Sequence, residues 1–159
     1  MTGTNRTETR TTGGVAMLAP RVSIEETPDG SLILRSDHEL GDFEDSLGEM
    51  LLRTAERVPD EVFMAERDEI SNGWRQVTYG QTLEWARSIG QSLLEMGLSP
   101  DRPLMVLSGN SVNHGLLMVA CYFSGIPIAP VSVAYSLQSK TFDRLSKIKA
   151  NLGAGALYV

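Results

Sequence analysis

Cysteine occurs once among the 159 residues, at Cys121. A single thiol excludes an intramolecular disulfide and suits a reducing cytosol. Its apolar neighbours favour a small buried hydrophobe over a reactive nucleophile. Histidine occurs twice, at His38 and His114. They lie far apart in sequence, and with one cysteine they make no ligand cluster of metal-binding spacing. No stretch approaches the ~20 consecutive apolar residues of a membrane span. Met1 to Gly14 is Thr, Arg and Gly without an apolar h-region, so it is not a secretory signal, and the acceptor-like Asn5-Arg6-Thr7 is chance. Positive charge is not in excess either. A net charge of −6 argues against a nucleic-acid partner, which needs clustered Lys and Arg. These absences point to a cytoplasmic chain with neither membrane nor nucleic acid as partner.

An apolar content of 42% with 21% charged residues is globular, and the length suffices for one ordinary domain with a core. Residues 1–20 have almost nothing to bury and are expected to be a disordered tail, with the domain spanning 21–159. Arg21-Val22-Ser23-Ile24 and Ser31-Leu32-Ile33-Leu34 flank Thr27-Pro28-Asp29-Gly30. Pro presets φ and Gly allows φ > 0 there, so a hairpin is predicted. Asp37 to Glu69 carries twelve of the twenty acids, which reads as a solvated helix face with its loops. Ser46-Leu47-Gly48-Glu49 has capping-box form. Leu47, Met50, Leu51, Ala55 and Val58 then share a helical face until Pro59 stops it. Val62–Glu66 and Trp74–Thr78 follow as strands around the turn signal Ser71-Asn72-Gly73.

From Thr78 onward strands and helices alternate. Thr78-Tyr79-Gly80-Gln81 is a second capping box, Leu83, Ala86, Ile89 and Leu93 form a stripe, and Gly97 ends the helix. Gly90 lies on that stripe and lets the helix approach its neighbours closely. Pro103–Leu107 reads as a strand. Ser111 caps a helix, Val112–Ser124, which is apolar nearly all round and is therefore expected to be buried between layers, with Gly125 as its stop. Ile126–Val131 returns as a strand whose Pro127 and Pro130 favour an edge. A last helix, about 138–151, places Phe142, Leu145, Ile148 and Leu152 on one face and Lys140, Arg144 and Lys147 on the other. Ala156–Val159 begins a further strand. The fold class expected is α/β: a partial doubly wound, mostly parallel sheet with flanking helices, preceded by a small hairpin region. A chain end inside an apolar strand is expected to mark a truncated domain.

Chemistry is harder to place. Ser108-Gly109-Asn110-Ser111 occupies a strand-to-helix turn, where backbone N–H groups could meet a phosphate. It has one Gly and no following Lys, and a turn glycine, an Asx bond from Asn110 and a Ser111 cap explain it more simply. Gly153-Ala154-Gly155 lacks the rest of a dinucleotide fingerprint. Thr11-Thr12-Gly13-Gly14 follows no strand and has no nearby lysine, so it is rejected as a phosphate loop. No Gly-x-Ser-x-Gly elbow is present. Trp74, Tyr79 and Trp85 are better read as packing than as a stacking platform. The Lys140, Arg144 and Lys147 face could attract an anion such as a CoA phosphate, but a solvated helix face is the better reading.

The order Trp74-x-x-x-Thr78-Tyr79, Gly97, Asp101-Arg102-Pro103, Leu107-Ser108-Gly109-Asn110-Ser111 and Ala129-Pro130-Val131-Ser132 leading to Ala134-Tyr135-Ser136 resembles the N-terminal part of adenylate-forming acyl- and aryl-CoA synthetases. It is most similar to the feruloyl-CoA synthetase type, departing from it at Val133, where that type has Pro. The resemblance covers about residues 20–159. It implies an ATP-dependent aromatic acid–CoA ligase working in two half-reactions. A carboxylate first attacks the α-phosphate of ATP with Mg²⁺ assisting pyrophosphate release, and the CoA thiol then displaces AMP. The family's phosphate loop, adenine and ribose motifs and mobile-domain lysine have no counterpart here, so no catalytic, cofactor or metal residue is carried over. ATP, Mg²⁺ and CoA are expected for the complete enzyme and none for this segment, which is expected to be inactive alone. Asn110, His114 and Tyr135 are the candidates for approach to the acid pocket. The alternative is a stand-alone, non-catalytic binding or interaction module built on an adenylation-type subdomain.

Overall fold

The computed structural model describes residues 9–12, 15–68 and 70–159, and the chain divides into two compact units, 1–43 and 44–159. In the first unit, β1 (Thr9–Thr12) pairs antiparallel with β2 (Val15–Leu18). Part of the stretch expected to be a disordered tail is therefore strand. Its β-branched threonines favour the extended chain even where there is little to bury. Asn5-Arg6-Thr7 and Gly13-Gly14 lie outside the described residues.

The second hairpin follows its turn chemistry. β3 (Val22–Glu26) pairs with β4 (Leu32–Ser36) in the register Val22↔Ser36 to Glu26↔Leu32. Gly30 takes φ +82°, and Thr27 N–H donates to Ser31 O at 2.9 Å. The Asp29 carboxylate accepts the Thr27 hydroxyl and the Ser31 N–H, which holds its pKa below the usual carboxylate range. All ten strand residues are exposed.

The second unit begins with α1 (Leu47–Arg57), capped by Ser46 Oγ, which accepts Glu49 N–H at 3.1 Å. Only Gly48, Leu51 and Ala55 of α1 are buried, while Leu47 and Met50 remain 55% and 51% exposed. The stripe read from the sequence is thus wider than the face that packs. Gly48 explains the offset, because a Cβ there would stand 3.0 Å from Phe123 Cα and α1 sits down on its glycine instead. β5 (Val62–Asp68) and β6 (Gly73–Thr78) form the expected hairpin, with Asn72 at φ +54°. Thr78 closes a complete capping box with Gln81 at the start of α2 (Tyr79–Glu95), and Gly97 at φ +77° follows its end.

A parallel sheet of order β8-β7-β9 completes the unit: β7 (Leu104–Val106), β8 (Ile128–Pro130) and β9 (Ala156–Tyr158). β8 lies at one edge among the described strands, as its prolines required. α3 (Val112–Ser124), stopped by Gly125 at φ +68°, links β7 to β8. α4 (Asp143–Leu152) links β8 back past β7 to β9. The two crossovers run in opposite directions, so right-handed connections put α3 and α4 on opposite faces, as in a doubly wound sheet. Leu104 and Val106 turn toward the helices and pack with Leu93, Leu98, Cys121 and Ile126, and Met105 is fully buried on the other face.

Two expectations are corrected here. α3 is not enclosed all round. Tyr122 is exposed and Val119 half-buried, opening onto a cavity of about 250 Å³ lined also by Leu47, Met50 and Phe63. α4 starts at Asp143 rather than near Gln138. Gln138 N–H is taken by Val133 O, Ser139 Oγ accepts Phe142 N–H, and Phe142 sits at φ +55°. These local bonds hold 138–142 in turns, so Lys140 is not on the helix.

Candidate functional site

In open parallel sheets, ligands meet the loops leaving the carboxyl ends of the strands. Two such loops follow β7 and β8 in this chain, Leu107–Ser111 and Val131–Ser136. One side chain ties them together, and backbone bonds anchor each to a neighbouring strand. Val131 N–H donates to Val106 O at 2.9 Å, and Leu107 N–H to Tyr158 O at 2.8 Å. The buried Ser136 hydroxyl lies 3.2 Å from Leu107 O and 3.4 Å from Ser132 O, so it bridges the two loops. Tyr135 N–H donates to Ser132 O at 2.9 Å and keeps the Ala-Tyr-Ser segment tight.

His114 is buried in the first turn of α3. Its Nδ1 lies 3.4 Å from Ser108 Oγ and 3.3 Å from Gly109 O, and its backbone N–H donates to Ser111 Oγ at 3.1 Å. A proton on Nδ1 would serve Gly109 O, and a bare Nδ1 would accept from Ser108. Either way the ring braces the turn. Asn110 is exposed and has no side-chain hydrogen bond among the described residues, so the Asx bond expected there is not formed. It lines a cleft of about 440 Å³ with Phe63, Met64 and Glu66. Tyr135 is half-buried in a different cleft. Its hydroxyl accepts Arg144 Nη1 at 3.3 Å, and the guanidinium carbon stands 5.2 Å from the ring centroid. The three candidates therefore share one end of the sheet but not one pocket.

The turn before α3 is poorly suited to a phosphate. Glu66 Oε2 accepts Val112 N–H at 2.7 Å, and Ser111 Oγ occupies His114 N–H. A phosphate there would have to displace a carboxylate whose other oxygen binds Arg75 at 2.8 Å. Arg75 in turn donates to Asn113 Oδ1 at 2.9 Å, which locks the β5–β6 hairpin onto the helix. Glu66 had no sequence signal, because its partner lies 46 residues later. Among the described residues no three His, Cys, Asp or Glu side chains cluster as a metal site.

The aromatic residues separate in the same way. Tyr79 packs against Phe63, with ring centroids 4.7 Å apart. Trp74 is 55% exposed and lies under Arg67, whose guanidinium carbon is 4.3 Å from the ring centroid. Trp74 is thus a surface cation–π partner rather than core. Cys121 is wholly buried, and desolvation pushes its thiol pKa up to about 11. No helix among the described residues is long and apolar enough to cross a membrane.

Residues 51–157 match the family model of the AMP-binding enzymes. No curated protein sequence matches the chain. Among solved structures, the fold is similar to the fatty acid AMP ligase from Legionella pneumophila, with a TM-score of 0.62 and 17% identity over 70% of this chain and 19% of that one. It is also similar to the Mycobacterium tuberculosis fatty acyl CoA synthetase, with a TM-score of 0.55 and 21% identity over 69% of this chain and 20% of that one. IdnL1 matches with a TM-score of 0.60 and 22% identity over 73% of this chain and 22% of that one. At these identities the likeness is one of fold, and the chain spans about a fifth of the length of each. With most of its length inside that family model and its α/β fold that of the N-terminal domain of adenylate-forming enzymes, the chain belongs to the AMP-binding enzyme family.

Proposed function

We propose that these residues form the N-terminal part of an ATP-dependent aromatic acid–CoA ligase and that 1–159 does not turn over by itself. The supporting observation is the run Ala129-Pro130-Val131-Ser132-x-Ala134-Tyr135-Ser136, held at the carboxyl ends of parallel strands by the Ser136–Leu107 contact. That end is where an open α/β sheet receives its ligand. In this reading the segment acts as a support. His114 braces one loop and Ser136 ties the second to it, while Asn110 and Tyr135 open onto separate clefts at that end of the sheet. No step of acid activation is assigned to a residue of this chain. The first turn of α3 is closed by Glu66 and Ser111. ATP, Mg²⁺ and CoA belong to the complete enzyme.

A long-chain acid is the second reading of the substrate. It is favoured by the names of two structural neighbours, which are fatty acid and fatty acyl ligases. ATP–pyrophosphate exchange separates the readings. Purified 1–159 is expected to show no exchange with ferulate, benzoate or palmitate, and a longer product of the same locus is expected to exchange with ferulate. Robust exchange by 1–159 would overturn the inactivity. Exchange by the longer product with palmitate alone would replace the aromatic substrate. A folded 1–159 that binds a protein partner, with no acid-dependent exchange from any longer product, would favour the stand-alone module.

A further inference from the structure

Asp45, Glu49, Arg53 and Arg57 fall four residues apart along α1 and the residue before its cap. That spacing makes one ridge on the helix, and all four are exposed. Along the ridge the signs run acid, acid, base, base. Reversal about its midpoint, at the level of Leu51, brings Asp45 opposite Arg57 and Glu49 opposite Arg53. Such a ridge complements an antiparallel copy of itself, whereas a parallel copy sets like charge against like. The helix dipole favours acids at the start and bases at the end, but it does not call for all four in one line. Within the chain, Arg53 pairs with Glu44 at 2.6 Å. Asp45, Glu49 and Arg57 enter none of the ion pairs among the described residues.

Apolar surface lies beside the ridge. Met50 follows Glu49 and is 51% exposed, and Leu47 and Phe63 are also exposed. With Thr54, Val119 and Tyr122 they line the cavity of about 250 Å³ that α3 opens onto. Large apolar groups left in solvent around one hollow mark an interaction surface. At such a surface apolar contact supplies the attraction, and the charged rim fixes partner and orientation. A twofold axis at the level of Leu51 satisfies both at once. It matches the charges and brings the two Met50 side chains, one residue from the axis, against each other's hollow. The unbranched Met side chain adapts to such a space.

We propose that this face of α1 seats a second copy of the chain, in a twofold dimer whose α1 helices run antiparallel. Asp45–Arg57 and Glu49–Arg53 pairs then form twice across the axis, and each Met50 enters the apolar hollow of the other copy. The dimer stands on these residues and does not require the acid-activating reading.

Sedimentation equilibrium of the whole 1–159 chain tests it. Monomer and dimer are expected to exchange at micromolar concentration, with the dimer weakening as salt rises. Met50→Lys is expected to weaken it about tenfold or more, because it places a charge in each apolar contact. Asp45→Lys and Arg57→Glu are each expected to weaken it about fivefold or more, since each turns two attractive pairs into two repulsive ones. An equal mixture of those two variants is expected to dimerise as the parent does, because the mixed dimer opposes unlike charges at both places. If circular dichroism shows Met50→Lys unfolded, the mixing experiment decides alone. A chain that stays monomeric, or that assembles beyond a dimer, overturns the proposal. So does a mixture that associates no more tightly than its separate components, which would put the contact on another face. Each of these results leaves the acid-activating proposal to the exchange assay.

Discussion

Glu66, on the β5–β6 hairpin, accepts the backbone N–H of Val112 at 2.7 Å and so caps a helix that starts 46 residues later in the chain. The same carboxylate holds Arg75, which reaches Asn113 one residue further along α3. One side chain thus joins the hairpin to the helix that carries His114, and it occupies the anion-attracting end of that helix with the protein's own negative charge.

Replacing it has a measurable cost. Glu66→Ala is expected to lower stability by about 1–3 kcal/mol, because a hydrogen bond to a charged acceptor is lost and Val112 N–H and Arg75 lose their partner. Glu66→Gln retains an acceptor and should lose less. Urea denaturation of the two variants checks the order, and equal stability of Glu66→Ala and the parent would refute the clamp.

Thr78 accepts Gln81 N–H at 3.3 Å while Gln81 Oε1 accepts Thr78 N–H at 3.1 Å. Thr78→Ala is expected to cost about 1 kcal/mol, as for other N-caps. Gln81→Ala should cost a smaller amount, since it removes only the reciprocal bond. Thermal melts followed at 222 nm would show whether the two changes fall in that order.

A Cβ added at Gly90 would lie 2.0 Å from Ser124 Oγ and 3.4 Å from Ala120 O. The serine oxygen can rotate away, and alanine favours helix by about 1 kcal/mol over glycine, so Gly90→Ala is expected to be near neutral. Gly90→Val cannot be accommodated by one rotamer and should cost about 1–3 kcal/mol through overpacking. Adding Ser124→Ala should relieve Gly90→Ala but not Gly90→Val. A Gly90→Val protein as stable as the parent would contradict the close α2–α3 approach.

Burial raises the Cys121 thiol from 9.0 to about 11. The neutral thiol is the form that the fold accepts, so its contribution is complete below pH 9 and is lost as pH climbs toward about 11. Unfolding free energy should fall by roughly 2–3 kcal/mol across that window, and Cys121→Val should remove this component. At pH 8 a thiol reagent should label Cys121 only as fast as the chain opens. Rapid labelling of the native protein would place the sulfur at the surface instead.

Local signals were read well because their causes are local. Thr78 with Gln81, Ser111 before α3 and Gly125 after it need only neighbours three or four residues away, and each performs the expected role. The Thr27-Pro28-Asp29-Gly30 turn is of the same kind. Leu47 and Met50 were misread because periodicity records which residues could face a core, not which of them find one. The start of α4 was misplaced because turns through Ser139 and Phe142 competed with the helix for the same backbone groups. At the site, the turn carrying Asn110 and His114 was visible as a strand-to-helix punctuation, whereas the bridge from Ser136 to Leu107 spans 29 residues and leaves no pattern.

Hydrophobic rhythm, caps and turn residues were sufficient for the alternation of strands and helices, and hence for a parallel sheet, because these depend on bonds formed within a few residues. Which carboxylate caps α3, which loop Ser136 fastens, and that Asn110 and Tyr135 open onto different clefts were settled only by folding. Each depends on groups far apart in the chain being brought within 3–4 Å, and no short stretch of residues encodes such a meeting.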